Sequence, residues 1–337
     1  MVGKMTLEEK VGQLFIVRTK NLGCDTSVEP NFAQTYKNYP LGGIILFADN
    51  IIDPGQLNKF INDFNDCSEI PMFISVDEEG GRVARLGKNP AFNLKTYENA
   101  QSVGSSNNKK DAYNMGSTIG AYLKKYGFNM DFAPCADIFT NPDNTVIGDR
   151  AFSTNAKSAS KLASAMADGL KEQNIIPVFK HFPGHGDTAE DSHKGIAVSY
   201  KTYNQMKKCE WLPYKNLSEI DCVMVGHIAI PKITNNLVPA SLSKEIVTDI
   251  LRDDLKFDGL VITDSLEMGA VVNDYSAEEA CVLAIQAGCD ILLDVKDFKS
   301  CFDAVKKAVE NGEISQERLD ESVKRILFFK KSYGIIK

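Results

Sequence analysis

Four histidines occur in this 337-residue chain, and three of them fall in one stretch, Lys180-His181-Phe182-Pro183-Gly184-His185-Gly186-Asp187-Thr188-Ala189-Glu190-Asp191-Ser192-His193. Imidazole changes charge near neutral pH, so such a cluster suits proton transfer, hydrogen bonding or metal binding. His181 and His185 are four apart, as in helical zinc motifs, but Pro183 and Gly184 between them break the helix that would put both on one face. Ligand spacing without its helix loses the geometry a metal needs, so no metal is expected. Asp191 stands two residues before His193, where a carboxylate can hold the ring in one tautomer and stabilise its protonated form, as in the Asp–His half of a catalytic triad. Taken alone, the tripeptide is better read as a solvated turn.

Asp264 follows the apolar run Gly259-Leu260-Val261-Ile262-Thr263. A carboxylate at a strand end can act as a nucleophile, and it serves equally well as the N-cap of the next helix. Lys180, also near a strand end, admits Schiff-base chemistry if burial lowers its pKa. Against that, His181 beside it and the surplus of hydroxyl-binding side chains favour a polyol ligand. Arg85 and Arg150 are surface charges on the simplest reading.

The elements that must position these residues alternate in a regular way. Eight short apolar runs, Leu14–Val17, Gly43–Phe47, Met72–Val76, Asn129–Ala133, Ile176–Phe179, Cys222–Val225, Gly259–Thr263 and Ile291–Leu293, are separated by longer amphipathic stretches. Among these, Asp111–Tyr126, Ala156–Lys171, Ser243–Leu255, Ala277–Ala287 and Phe302–Glu310 carry apolar residues at intervals of three and four, and a last helix opens near Ser315 and runs to Phe329. The alternation predicts a (β/α)8 TIM barrel forming one domain over residues 1–337. Gly42-Gly43 and Glu79-Gly80-Gly81 lack the phosphate-binding patterns of nucleotide folds and read as turns. Active sites of this barrel gather at the C-terminal ends of the strands, where Asp49, Asp77, Asp137, Lys180, His181, His227 and Asp264 stand. The aperiodic segment from Phe182 to about Tyr200 predicts a loop over the barrel mouth, with Gly184, Gly186 and Gly195 as its permissive positions.

Composition narrows the partners. With 43% apolar and 25% charged residues the chain can bury a large core, and a net charge of −7 without a basic run argues against nucleic acid. No apolar run could span a bilayer, so no membrane partner is expected. Eight cysteines without a CxxC pair read as small buried hydrophobes in a reducing compartment. The charged N-terminus lacks the apolar core of a signal peptide, which predicts a cytoplasmic location, and a monomer is expected.

The segment Lys180–Gly186 followed by Asp191-Ser192-His193 resembles the signature of glycoside hydrolase family 3, specifically its single-domain bacterial β-N-acetylglucosaminidases. Agreement extends along the chain through Gly42–Phe47, Val76–Leu86, Ile147–Phe152, Met224–His227 and Val261–Ala270. The resemblance implies a retaining, exo-acting enzyme that needs no cofactor and acts on a carbohydrate carrying N-acetylglucosamine, such as a muropeptide. Asp264 would be its nucleophile, His193 its acid/base and Asp191 the partner of His193. Asp77, Arg150, Lys180 and His181, with Arg85 added, would bind the sugar hydroxyls. The long His-bearing loop is the specific part, because β-glucosidase relatives generally take the acid/base carboxylate from a second domain. Ala151 departs from the family, where Ser is usual. Two alternatives stay open: a phosphorylase or β-glucosidase of the same family, since a neutral histidine does not repel phosphate, and a sugar-binding barrel without catalysis.

Overall fold

The computed structural model describes residues 2–215 and 219–337. Ten strands are present among the described residues: β1 (Phe15–Arg18), β2 (Gly43–Leu46), β3 (Phe73–Val76), β4 (Met130–Asp131), β5 (Ile176–Phe182), β6 (Ala197–Val198), β7 (Cys222–Val225), β8 (Ile228–Ala229), β9 (Leu260–Ser265) and β10 (Ile291–Leu293). Eight of them close a parallel barrel in the order β1-β10-β9-β7-β5-β4-β3-β2. Each of the eight apolar runs supplies one barrel strand. Helices cover the outside, so the strands are shielded on both faces; β2, β3, β7 and β10 are buried at every position. The chain is thus a (β/α)8 barrel, as the alternation predicts.

Several helices start where the sequence provides an oxygen for the first free N–H groups. Asn155 caps Ala156–Glu172, Ser276 caps Ala277–Ala287 and Ser315 caps Gln316–Ser332. The segment expected as an amphipathic helix over 243–255 is wound as a π-helix, Glu245–Asp254. Pro54–Cys67 is a helix that the sequence reading does not single out, although Asp53 caps it and Pro54 stands in its first turn.

Two elements depart from their expected extents in ways that matter for the site. β4 is short, but Phe132 N–H still donates to Val76 O and Val178 N–H to Ala133 O, so pairing continues past it. β5 is longer than expected and runs through Lys180 and His181, with a register shift against β7 between Phe179 and Phe182. Beyond it the aperiodic segment is a loop, except that β6 pairs with β8 in parallel. Two residues are too few for a period to show. Of the three loop glycines, Gly184 alone holds a positive φ, +128°, whereas a side chain on Gly186 would collide with the Ile138 carbonyl and one on Gly195 would meet nothing.

All eight cysteines are free thiols and six are buried, consistent with an apolar packing role. Among the described residues no helix is long and apolar enough to cross a membrane.

Candidate active site

A cavity of about 390 Å³ opens at the C-terminal mouth of the barrel. Seven of the eight residues picked from the sequence line it, namely Asp77, Arg85, Arg150, Lys180, His181, His193 and Asp264, and Asp191 stands behind His193.

The floor is an ion-pair cluster between the ends of β3 and β5. Lys180 is buried, with Nζ 2.7 Å from Asp77 Oδ1 and 2.6 Å from Glu79 Oε1. Arg150 grips the same Glu79 through two nitrogens, Nε at 2.8 Å and Nη2 at 2.7 Å. Burial works against the Lys180 and Glu79 charges, but the paired opposite charges win. They hold the Lys180 ammonium above its ordinary range and the Glu79 carboxyl well below its own. Contacts to two carboxylates favour the charged ammonium, whereas imine chemistry needs the neutral amine, so the geometry does not support the Schiff-base reading of Lys180.

His181 is fixed from behind. Its Nδ1 lies 2.6 Å from Asp137 Oδ2, which also accepts from the His181 N–H, while Asp137 Oδ1 accepts from the His185 N–H at 2.7 Å. This arrangement fits the Nδ1–H tautomer and turns Nε2 toward the Arg150 guanidinium at 3.4 Å. Cys135, Asp137 and His181 lie close enough together to hold a metal ion, but the Asp137 oxygens already accept from these backbone and ring N–H groups.

Asp264 lies within β9 rather than just beyond it, and is half-buried on the cavity wall. Its Oδ1 accepts from the Ser265 N–H at 2.8 Å. The next helix, Gly269–Val272, has Met268 at its cap position, so the N-cap reading of Asp264 does not hold. Burial opposes its charge, yet the His181 and His227 rings, the Ser265 N–H and Lys180 keep the carboxyl below its usual range. His227 is buried and braces this turn: Nε2 donates to Ser265 O at 2.8 Å, and Nδ1 meets Ser241 Oγ at 2.7 Å.

The loop after β5 carries the remaining pair. His193 Nδ1 is 2.8 Å from Asp191 Oδ1, and the same oxygen accepts from the His193 N–H at 3.0 Å. Although partial burial raises its pKa, these bonds bring the Asp191 carboxyl below its ordinary value overall. The His193 side chain is 64% exposed. His185 is buried inside the loop, bonded to Thr188 Oγ1 at 2.8 Å and to Ser192 Oγ at 2.9 Å.

Sequence reasoning missed the residues that hold these side chains. Glu79 reads as part of a glycine turn and Asp137 only as a polar strand end, because their partners are far away along the chain. Arg18, Glu267 and Asp294 also line the cavity. Burial, then the neighbouring Glu267, pushes the Asp294 carboxyl up to about 6.

A parallel barrel whose mouth joins a charged floor to a strand-end carboxylate and a histidine loop belongs to the class of barrels with enzyme-type sites at that end. Residues 6–329 match the glycosyl hydrolase family 3 N-terminal domain, and the chain belongs to that family. It is 33% identical over 334 residues to the β-hexosaminidase LpqI of Mycobacterium tuberculosis, a match covering 96% of this chain and 82% of that protein. It is 31% identical over 331 residues to β-hexosaminidase A of Pseudoalteromonas piscicida, covering 89% of this chain and 55% of the relative. A family 3 β-N-acetylglucosaminidase from Paenibacillus sp. superposes with a TM-score of 0.93 at 33% identity, over 98% of this chain and 63% of that one. The chain therefore spans little more than half the length of some relatives and most of others.

Proposed function

We propose that this chain is a retaining, exo-acting β-N-acetylglucosaminidase that removes terminal β-linked N-acetylglucosamine, with peptidoglycan fragments as its natural substrates. The reading rests chiefly on one observation: Asp264 and the Asp191–His193 pair face one cavity from separate elements. The names of the relatives at about one-third identity support the substrate class.

In this reading the Asp264 carboxylate attacks the anomeric carbon. The glycosidic bond breaks, and its oxygen takes a proton from His193 Nε2, the nitrogen not engaged by Asp191. The neutral ring then takes a proton from water, whose oxygen attacks the same carbon and releases Asp264, so two inversions give retention. Most retaining glycosidases use a second carboxyl about 5–5.5 Å away for the proton; here an imidazole whose Nδ1 is held by Asp191 takes that part. Asp77, Arg85, Arg150, Lys180 and His181 present charges, donors and acceptors for the sugar hydroxyls. The acetamide serves as a binding handle, because Asp264 makes its own attack.

The test is a panel of 4-nitrophenyl β-glycosides with and without inorganic phosphate. The N-acetylglucosaminide should be turned over faster than the glucoside, with phosphate changing neither rate nor product. A preference for glucoside would overturn the substrate assignment, and sugar 1-phosphate among the products would replace hydrolysis by phosphorolysis.

A further inference from the structure

The His193 ring is mostly exposed, so packing of the side chain cannot set its place over the cavity. Asp191 holds the ring, and the backbone on either side of it is bonded to a neighbouring segment. The Gly269 N–H donates to His193 O at 3.2 Å, the Ala270 N–H to Ser192 O at 3.2 Å, and Asn273 Nδ2 to Lys194 O at 3.2 Å. All three donors belong to the short segment that leaves β9 just after Asp264.

Gly269 admits this approach. A Cβ built there would meet His193 O at 2.7 Å, Lys194 C at 2.8 Å and Lys194 O at 2.9 Å, all backbone atoms that cannot swing aside. Gly269 opens the helix Gly269–Val272, where most residues fit, so the helix does not itself require glycine. We propose that Gly269 is a positioning residue: its missing side chain lets the loop dock on the segment carrying Asp264, which registers His193 against that carboxylate. The inference rests on the reading of His193 as acid/base. Through this contact the two chemical groups share one short piece of backbone, although they come from different βα units.

Gly269→Ala, Asn273→Ala and His193→Ala should be compared on 4-nitrophenyl and methyl β-N-acetylglucosaminides, with thermal unfolding followed in parallel. An unassisted leaving group suffers most from a misplaced acid, so Gly269→Ala should lower kcat on the methyl glycoside by roughly 10- to 100-fold while the nitrophenyl rate falls much less and KM holds. Asn273→Ala should shift both rates the same way by less, and it decides the matter if Gly269→Ala does not fold. Amide exchange across residues 191–195 should speed up in both variants. If His193→Ala shows the leaving-group dependence but the folded Gly269→Ala enzyme keeps wild-type rates, or loses both substrates equally, Gly269 does not position the loop. If His193→Ala itself shows no such dependence, the acid/base reading falls and the inference falls with it.

Discussion

Lys180 and Lys330 are both buried amines, and their surroundings drive them in opposite directions. Lys180 sits between the carboxylates of Asp77 and Glu79 and stays charged at the site. Among the described residues no carboxylate pairs with Lys330: its Nζ donates to Gln13 Oε1 at 2.7 Å and to Gly42 O at 2.9 Å, above the Phe73 ring, and burial lowers its pKa from 10.5 to about 7. The linkage has a definite sign. Below about pH 7 the amine is protonated in both states and the fold carries the full cost of a buried charge. Between about 7 and 10.5 only the unfolded chain binds the proton, so stability rises with pH, by at most about 1.4 kcal/mol per unit. Lys330→Met loses two hydrogen bonds at every pH but removes this rise. Urea unfolding at a series of pH values should therefore show wild type gaining on the variant from pH 7 to 10; a constant difference would contradict the assignment. Residue environments of this kind are the least legible part of the sequence. Lys180, His181, Asp191, His193 and Asp264 could be picked by type and motif, whereas Glu79 and Asp137 acquire their importance from partners that only the fold supplies.

Among the elements, the end of the barrel opposite the cavity is tied together by one carboxylate. Asp290, fully buried just before β10, accepts from Arg252 Nη2 at 2.6 Å, Ser322 Oγ at 2.7 Å, the Val261 N–H at 3.1 Å and Arg325 Nη1 at 3.2 Å. It thereby joins the π-helix Glu245–Asp254 and the helix Gln316–Ser332 to strands β9 and β10. Removing one partner of a buried network leaves the others uncompensated, so Asp290→Ala should lose about 3–5 kcal/mol in chemical unfolding while KM of the folded protein stays at the wild-type value. A wild-type unfolding midpoint would show that the arginines find other partners. All eight barrel strands were legible at this scale because buried parallel strands are short apolar runs. The pairing of β6 with β8 was not, since a two-residue strand carries no pattern, and neither was the docking of the loop on Gly269, which depends on an approach between distant backbones.

Taken whole, the molecule separates its tasks between the two ends of one barrel. The N-terminal end holds the Lys330 and Asp290 contacts, and the C-terminal mouth gathers the charged floor, the β9 carboxylate and the histidine loop. The proposed chemistry draws on both the frame and the loop, but its central claim concerns a single covalent bond. Incubation with a fluorinated N-acetylglucosaminyl fluoride, which slows release of a glycosyl-enzyme more than its formation, should add one sugar to the intact protein as read by mass spectrometry. Peptide mapping should place that sugar on Asp264, and Asp264→Ala should remain folded, unlabelled and nearly inactive. A label on Asp77 or another carboxylate, or full turnover by the folded Asp264→Ala protein, would contradict the account.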